Sequence, residues 1–415
     1  MADGWTRASW AVLAAAVLCL AGLAPANGQS AAPKQPKAAN AVAAKAQGKA
    51  TAKTAASGEK TLLAEDVFKD IRVLRGMPLD EFMDTMGFFA ASLSMTCTDC
   101  HISESGGDWA RYVDETPRMA TARKMVLMVN KINAENFGGS RSVTCYTCHR
   151  FDANTPKTVP SLMLQYSVPP PDDPNEVTAI AESQGLPTAD QVFDKYFKAI
   201  GGEQKLAGLK SVVVKGTYDG FDTGHEPRPE EVYAQAPAQR TTIVHLRGEA
   251  DKVWTYDGHE GWIASSDKPV PLMVLTGGEL EGAKLDAMLS FPLQIKQAYP
   301  TWRVGDASID DHDVLMLQGT AAGHTSLKLY FDKQSGLLVR QVRYSNTKIG
   351  TVPVQVDYSD YRDVAGIKLP FQWINTWTDG QSTTLVTDIQ TNVSIDPAKL
   401  SKPQPAKMPE SAELR

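Results

Sequence analysis

The sequence predicts a multidomain chain, mainly α in its first part and α+β with a curved antiparallel sheet in its second. Three observations predict it. Apolar residues recur at helical spacing between about residues 62 and 166, and the period changes to two from Val212 onward. A proline-rich stretch, Pro169-Pro170-Pro171-Asp172-Asp173-Pro174, separates the two patterns. Within the helical part the pentapeptide Cys-x-x-Cys-His occurs twice, at Cys97-Thr98-Asp99-Cys100-His101 and Cys145-Tyr146-Thr147-Cys148-His149. With 415 residues and 42% hydrophobic content, the chain can bury two cores.

The N-terminal element is a secretory signal. Arg7 supplies a positive end, Trp10 to Leu23 is apolar, and Ala24-Pro25-Ala26 places small residues at a cleavage site. Residues 1–26 are therefore expected to direct export to the periplasm and to be removed. The competing reading, an uncleaved anchor, is disfavoured because the run is short of the ~20 residues a spanning helix needs. Residues 27–61 form a flexible tether of Ala, Lys, Gln, Pro and Ser, with six lysines facing Glu59. That charge suits an acidic partner or an anionic membrane surface, although solvation alone explains it.

Residues 62–166 make the first folded domain. Pro78 suits a first helical turn, and Phe82, Met86, Phe89 and Leu93 follow at helical spacing before the chain reaches Cys97. A second unit starts near Pro117 and puts Ala122, Met125, Met128, Val129 and Ile132 on one face, with Gly138-Gly139 closing it before Cys145. Helix, turn and Cys-x-x-Cys-His thus form an internal repeat. Residues 167–186 are a proline-rich linker, and domains so joined are expected to keep separate cores. In residues 187–400, Thr188 caps a helix carrying Val192, Phe193, Tyr196, Phe197 and Ile200, which Gly201-Gly202 ends. Strands then follow, with corners at Asp257-Gly258 and Asp332 to Gly336, and a helical interruption near Gly278 to Gln297. Residues 401–415 are a tail.

The repeated pentapeptide carries the chemistry. Two thiols one short turn apart can form thioethers to a porphyrin edge, and the histidine that follows can reach the iron as proximal ligand. Cys97, Cys100, Cys145 and Cys148 would hold two covalent haem c groups, with His101 and His149 on the irons. The fifth cysteine, Cys19, lies in the apolar N-terminal run, so no thiol is left for a zinc cluster. His101 and His149 are the only histidines before residue 225, so the helical part has no spare imidazole for a sixth ligand. Methionine suits that position in an electron carrier. For the first haem the candidates are Met77, Met83, Met86 and Met95, of which Met86 lies on the stripe with Phe82 and Phe89. For the second, Met125 and Met128 share a stripe and Met119 is more distant. The competing role for each methionine is core packing. A net charge of −6 argues against a nucleic-acid partner.

The segment Leu79-Asp80-Glu81-Phe82…Met86…Cys97 to His101, with Ala122-Arg123-Lys124-Met125…Met128…Ile132-Asn133…Val143-Thr144 and Cys145 to Arg150, resembles the photosynthetic reaction-centre cytochrome c subunit family. The resemblance covers about residues 62–155. It implies that each haem takes its methionine from the preceding helix, which puts the axial ligands at Met86 and Met125, with Met128 second. It also implies a membrane-bound reaction centre as redox partner, whose photo-oxidised pigment pair the cytochrome re-reduces from the periplasmic side. Typical members carry four haem motifs, whereas this chain has two. It also lacks a histidine in Asn133 to Gly139 that such members use for another haem, which points to an intact two-haem unit.

In the second half, Gly201-Gly202…Lys205-Leu206…Leu209-Lys210, Phe331-Asp332…Gly336-Leu337 and Tyr358 to Phe371 are similar to the half-barrel of outer-membrane lipoprotein carriers. That resemblance implies a cavity for a hydrophobic ligand. A protein-docking or structural role ranks ahead of lipid carriage, because fold analogy does not establish function. The leading functional reading is an electron carrier. The alternatives are a haem enzyme of dihaem-peroxidase type, with His225, His245, His259, His312 or His324 reaching over an iron, and a respiratory carrier fused to a ligand-binding domain. Arg111, Arg123, Arg141 and Arg150 are candidates to pair with haem propionates or are surface charges.

Overall fold

The computed structural model describes residues 61–106, 108–157 and 185–408. The expected signal peptide, nearly all of the tether, linker residues 167–184 and the end of the tail lie outside the described residues. The described residues all belong to one compact unit.

The helical region contains α1 (Ala64–Val67), α2 (Leu79–Leu93), α3 (Cys97–Cys100), α4 (Pro117–Asn136) and α5 (Cys145–His149). Pro78 is the N-cap of α2, and Ser94 ends it in the left-handed region with φ of 53°. Thr116 caps α4 and Pro117 takes its first position, where a missing N–H costs nothing. Gly138 and Gly139, both at positive φ, turn the chain back toward Cys145.

The second half holds α6 (Ala189–Ala199), α7 (Glu203–Ala207) and α8 (Gly277–Leu289) on a sheet that has thirteen strands among the described residues. These are β1 (Ser211–Gly220), β2 (Arg228–Gln235), β3 (Gln239–Val244), β4 (Lys252–Tyr256), β5 (Gly261–Ala264), β6 (Met273–Val274) and β7 (Thr301–Ile309). After them come β8 (His312–Thr320), β9 (Leu327–Asp332), β10 (Leu338–Asn346), β11 (Thr351–Val364), β12 (Ile367–Trp377) and β13 (Gly380–Thr391). The order is β6-β5-β4-β3-β2-β1-β13-β12-β11-β10-β9-β8-β7, antiparallel throughout. Two meanders therefore meet where β1 pairs with β13. At that seam Gly216 sits in a bulge, and a Cβ there would come within 2.6 Å of the Leu385 carbonyl oxygen. The expected curved antiparallel sheet is present. Helix α8 contacts β3 and β4 on one arm and β10 on the other, so it crosses the concave face.

Helix α6 forms as its pattern predicts. Thr188 accepts from the Gln191 N–H at 3.3 Å, and Val192, Phe193, Tyr196, Phe197 and Ile200 are buried against the sheet.

The two regions do not keep the separate cores expected from the linker. Ile349, in the β10–β11 hairpin, is 2% exposed in a cluster with Met77, Phe82, Phe88, Val126 and Cys145. Gly350 beside it is obligatory, because a Cβ would meet the Phe88 ring at 2.3 Å. Lys348 of the same hairpin donates to the Arg75 carbonyl oxygen, and Arg141 donates to that of Thr347. On the other side of α2, Leu79 is buried with Ile263, Met273 and Leu275. A proline-rich run marks where the chain leaves one pattern; it carries no information on whether the surfaces beyond it pack together.

Asp80 is also held at this junction. Its carboxylate accepts from the Thr276 hydroxyl at 2.7 Å and from the Thr276 N–H. Burial pushes its pKa from 3.8 up to about 6, and the Thr276 bonds offset part of that rise. The folded state then holds a proton that the unfolded state has released. Asp80 contributes most below pH 3.8, and its contribution is lost as pH rises through about 6. We expect unfolding free energy to fall by roughly 2–4 kcal/mol across that window from this group. In Asp80→Asn that component of the slope should vanish in urea titrations run below pH 3.8 and well above pH 6, on the two sides of the window.

Between α2, α8 and the concave face lies a cavity of about 660 Å³. Asp80, Met83, Asp84 and Gly87 line it from α2, while Phe82, Met86 and Phe89 point to the opposite side of the same helix.

Candidate haem-binding sites

Each motif folds into a single helical turn closed by the same device. The Thr96 N–H donates to Asp99 Oδ2 at 2.8 Å, and the Thr144 N–H donates to Thr147 Oγ1 at 3.0 Å. Asp99 and Thr147 occupy the same place within Cys-x-x-Cys, so both turns present two thiols and a histidine in the same order.

The histidines are oriented alike. His101 Nδ1 lies 3.0 Å from the Tyr112 carbonyl oxygen, and His149 Nδ1 lies 3.0 Å from that of Asp152. A carbonyl oxygen only accepts, so Nδ1 carries the proton in both rings, and Nε2 keeps its lone pair for a metal. Burial holds His101 below the usual histidine range, which favours the neutral, ligating form. Its ring also stacks into an aromatic run. His101 lies 4.8 Å from Tyr112, Tyr112 4.9 Å from Trp109, Trp109 6.0 Å from Phe68, and Phe68 5.4 Å from Phe82 of α2.

The thiols argue against a thiol-redox reading of the same motif. All four are free. Burial pushes Cys97 and Cys100 up and Cys145 to about 11, whereas a redox-active Cys-x-x-Cys needs a depressed thiol. Among the described residues no three of His, Cys, Asp and Glu converge as a metal cage. The donor set that remains, two free thiols and an imidazole with Nδ1 on a carbonyl oxygen, fits covalent haem in both motifs.

Helix α4 holds both motifs. At its N-terminus the Thr116 hydroxyl donates to the Cys100 carbonyl oxygen, and Arg118 lies 3.6 Å from Asp99. Toward its C-terminus, buried Asn133 donates to the Val143 carbonyl oxygen at 2.7 Å and accepts from the Val143 N–H at 2.9 Å. Thr116 and Asn133 are seventeen positions apart in the sequence, roughly 25 Å along a helix. From the other side, Phe151 N–H donates to the Ser92 carbonyl oxygen and ties the second motif to α2.

The candidate methionines are distributed unevenly. Met86 is half-buried and packs against the cluster that contains Cys145. Met77 is fully buried core, with the Thr85 hydroxyl 3.4 Å from its sulfur. Met95 Sδ lies 3.8 Å from Cys100 Sγ, and Met83 lines the cavity. On α4 the buried face is Val126, Val129 and Asn133, rotated from the expected stripe. Met125 is half-buried beside it and Met128 is 42% exposed. Of the arginines, Arg123 pairs with Glu115 and Asp70, Arg111 with Asp114, and Arg141 is used at the sheet hairpin.

Sequence reasoning missed three contributors. The Tyr112 and Asp152 carbonyls had no signal, because every residue has one. Asp379, at the β12–β13 corner, lies near enough to raise the Cys97 thiol, after burial, and its carboxylate borders Gly87 of α2. Its signal was the Trp377-Thr378-Asp379-Gly380 turn, which does not show where a turn will dock.

Residues 24–199 match the family described as photosynthetic reaction centre cytochrome C subunit. The first part of the chain is similar to reaction-centre cytochrome c subunits. That family implies c-type haem and a redox partner. No curated protein matches the chain. Among solved structures, a DUF1329 family protein from Desulfovibrio piger is 11% identical over 52% of this chain and 98% of its own, with a TM-score of 0.37. A LolA superfamily protein from Nitrosomonas europaea is 15% identical over 52% and 99%, with a TM-score of 0.35.

Proposed function

We propose that the chain is an exported, periplasmic dihaem cytochrome that passes electrons to a redox protein partner, as reaction-centre cytochrome subunits do. The observation that carries this is the matched pair of histidines, each with Nδ1 on a backbone carbonyl at 3.0 Å and each following two free thiols on one turn. Cys97 and Cys100 would hold one haem and Cys145 and Cys148 the other, with His101 and His149 as proximal ligands. When bound, haem supplies a one-electron iron couple, and the protein supplies its ligands, orientation and exclusion of water. Met86 is the proposed sixth ligand for the first, and Met125, or Met128 as second choice, for the second. The half-exposed strip of Met125, Met128 and Ile132 offers an apolar surface that a flat porphyrin would cover.

The electron-carrier reading is preferred to a haem enzyme. An enzyme needs an acid–base group over an open iron. His225, His245 and His324 instead have Nδ1 on Asp219, Asp251 and Glu281, at 3.1, 3.0 and 2.6 Å. His259 and His312 are exposed. The negative chain charge and the signal-like N-terminus suit a protein partner at the periplasmic membrane surface.

The test is the intact mass of the protein exported by a host with a haem c maturation system. The mass should exceed that of the processed polypeptide by two haems. One haem, or none, contradicts the proposal.

A further inference from the structure

The cavity under α2 and α8 has a chemistry that haem attachment does not use. Two buried acceptor atoms of its lining residues have no hydrogen-bond partner, Glu230 Oε2 and Asn375 Oδ1. Glu230 is 5% exposed. The two residues lie on β2 and β12, and Tyr218, Thr384 and Ser382 of the intervening β1 and β13 also line the cavity, so a polar band crosses four strands. A buried acceptor without a donor is costly and is retained where something else supplies the donor.

The charge balance points the same way. Eight carboxylates line the cavity against four basic side chains. Lys252, buried between Asp222 at 3.0 Å and Asp267 at 2.7 Å, offsets one more negative charge. The lining is thus short of positive charge. Burial pushes the Glu230 carboxyl up to about 7, and the Thr384 hydrogen bond and the Arg240 charge offset only part of that rise. Arg343 has an unpartnered Nε, but Glu279 sits 3.3 Å from its Nη1, so its charge is already matched. Beside the polar band, Val244, Trp254 and Ile263 of β3, β4 and β5 make an apolar wall with Leu275.

We propose that this cavity binds a small amphipathic amine, its protonated nitrogen donating to Glu230 and its apolar body lying against the Trp254 wall. About 660 Å³ is ample for such a molecule. The resemblance to lipoprotein carriers implied an apolar ligand; the eight carboxylates demand a cationic end as well. The proposal does not rest on the haem assignment.

Isothermal calorimetry on the full haem-loaded chain tests it, with dodecylamine, dodecanol and dodecanoate below their aggregation concentrations. Dodecylamine should saturate at about one molecule per chain and bind at least about tenfold more tightly than either control. Glu230→Gln should weaken dodecylamine at least about tenfold, with haem spectrum and circular dichroism unchanged. If Glu230→Gln does not fold, Trp254→Ala reads the apolar contact and should weaken binding several-fold. Equal binding of dodecanol or dodecanoate, no saturable binding of dodecylamine, or unchanged affinity in the folded variant would overturn the proposal.

Discussion

Serine in place of Cys145 and Cys148 is expected to leave one haem on the chain and to loosen the helical core. The haem component follows from the motif, since the pair supplies both thioethers at that site. Haem absorbance per chain should fall by about half, and intact mass should drop by one haem. Loosening follows from packing. Cys145 is 7% exposed within the cluster of Phe82, Phe88, Val126 and Ile349. A hydroxyl placed there without a partner costs about 1–3 kcal/mol beyond the loss of the haem itself. Exposed Cys97, with half-buried Cys100, predicts a contrast. Cys97→Ser with Cys100→Ser should lose the other haem with less damage to the fold. If both double variants keep two haems, the motifs do not attach them.

The single-haem proteins also assign Met86. The sequence pattern pairs Met86 with His101, while the fold packs it in the cluster with Cys145. Met86→Ala in each background, read by the methionine-to-iron charge-transfer band of the oxidised protein, shows which iron loses its ligand. With Met86 on the first haem, the band disappears in the chain that lacks the second motif.

Replacing Ile349 by alanine should destabilise the helical region, although Ile349 belongs to the sheet. Its side chain is 2% exposed among residues of α2, α4 and α5, and such a truncation costs about 2–5 kcal/mol. Phe88→Ala, from the other side of the same contact, removes the ring over Gly350 and should cost about 3–5 kcal/mol. Wild-type protein should unfold in urea with the haem absorbance and the tryptophan fluorescence changing together, as one cooperative unit does. Both variants should shift the two signals by the same amount. A shift confined to the fluorescence would mean that the regions unfold independently. On the same grounds, residues 187–400 expressed alone would expose Ile263, Met273, Leu275 and Ile349, which α2 and its neighbours cover in the whole chain.

Much of the fold was legible because its signals are local. A period of 3.6 buries one face of a helix, so α2, α4 and α6 stood out from their apolar spacing, from the prolines at Pro78 and Pro117, and from the Thr188 cap. A period of two, broken by Asp257-Gly258 and Asp332 to Gly336, gave the sheet and two of its corners. The motifs were legible for a stronger reason. Thioether attachment needs two thiols and a histidine within one turn, so the requirement is written entirely in five consecutive residues.

What the tertiary structure decided lies between residues far apart in the chain. That His101 and His149 are held in one tautomer depends on the Tyr112 and Asp152 carbonyls, and a backbone carbonyl leaves no mark in a sequence. Asp80 and Asp84 look like the solvated side of an amphipathic helix, until α8 and the concave face close over them and make their charge costly. The sharing of one core by the helices and the β10–β11 hairpin rests on Ile349 and Phe88, more than two hundred positions apart. Local spacing specifies what each segment can become, because it acts through neighbouring backbone geometry. Which surfaces then meet is decided by the free energy of burying them together, and that is a property of the folded whole.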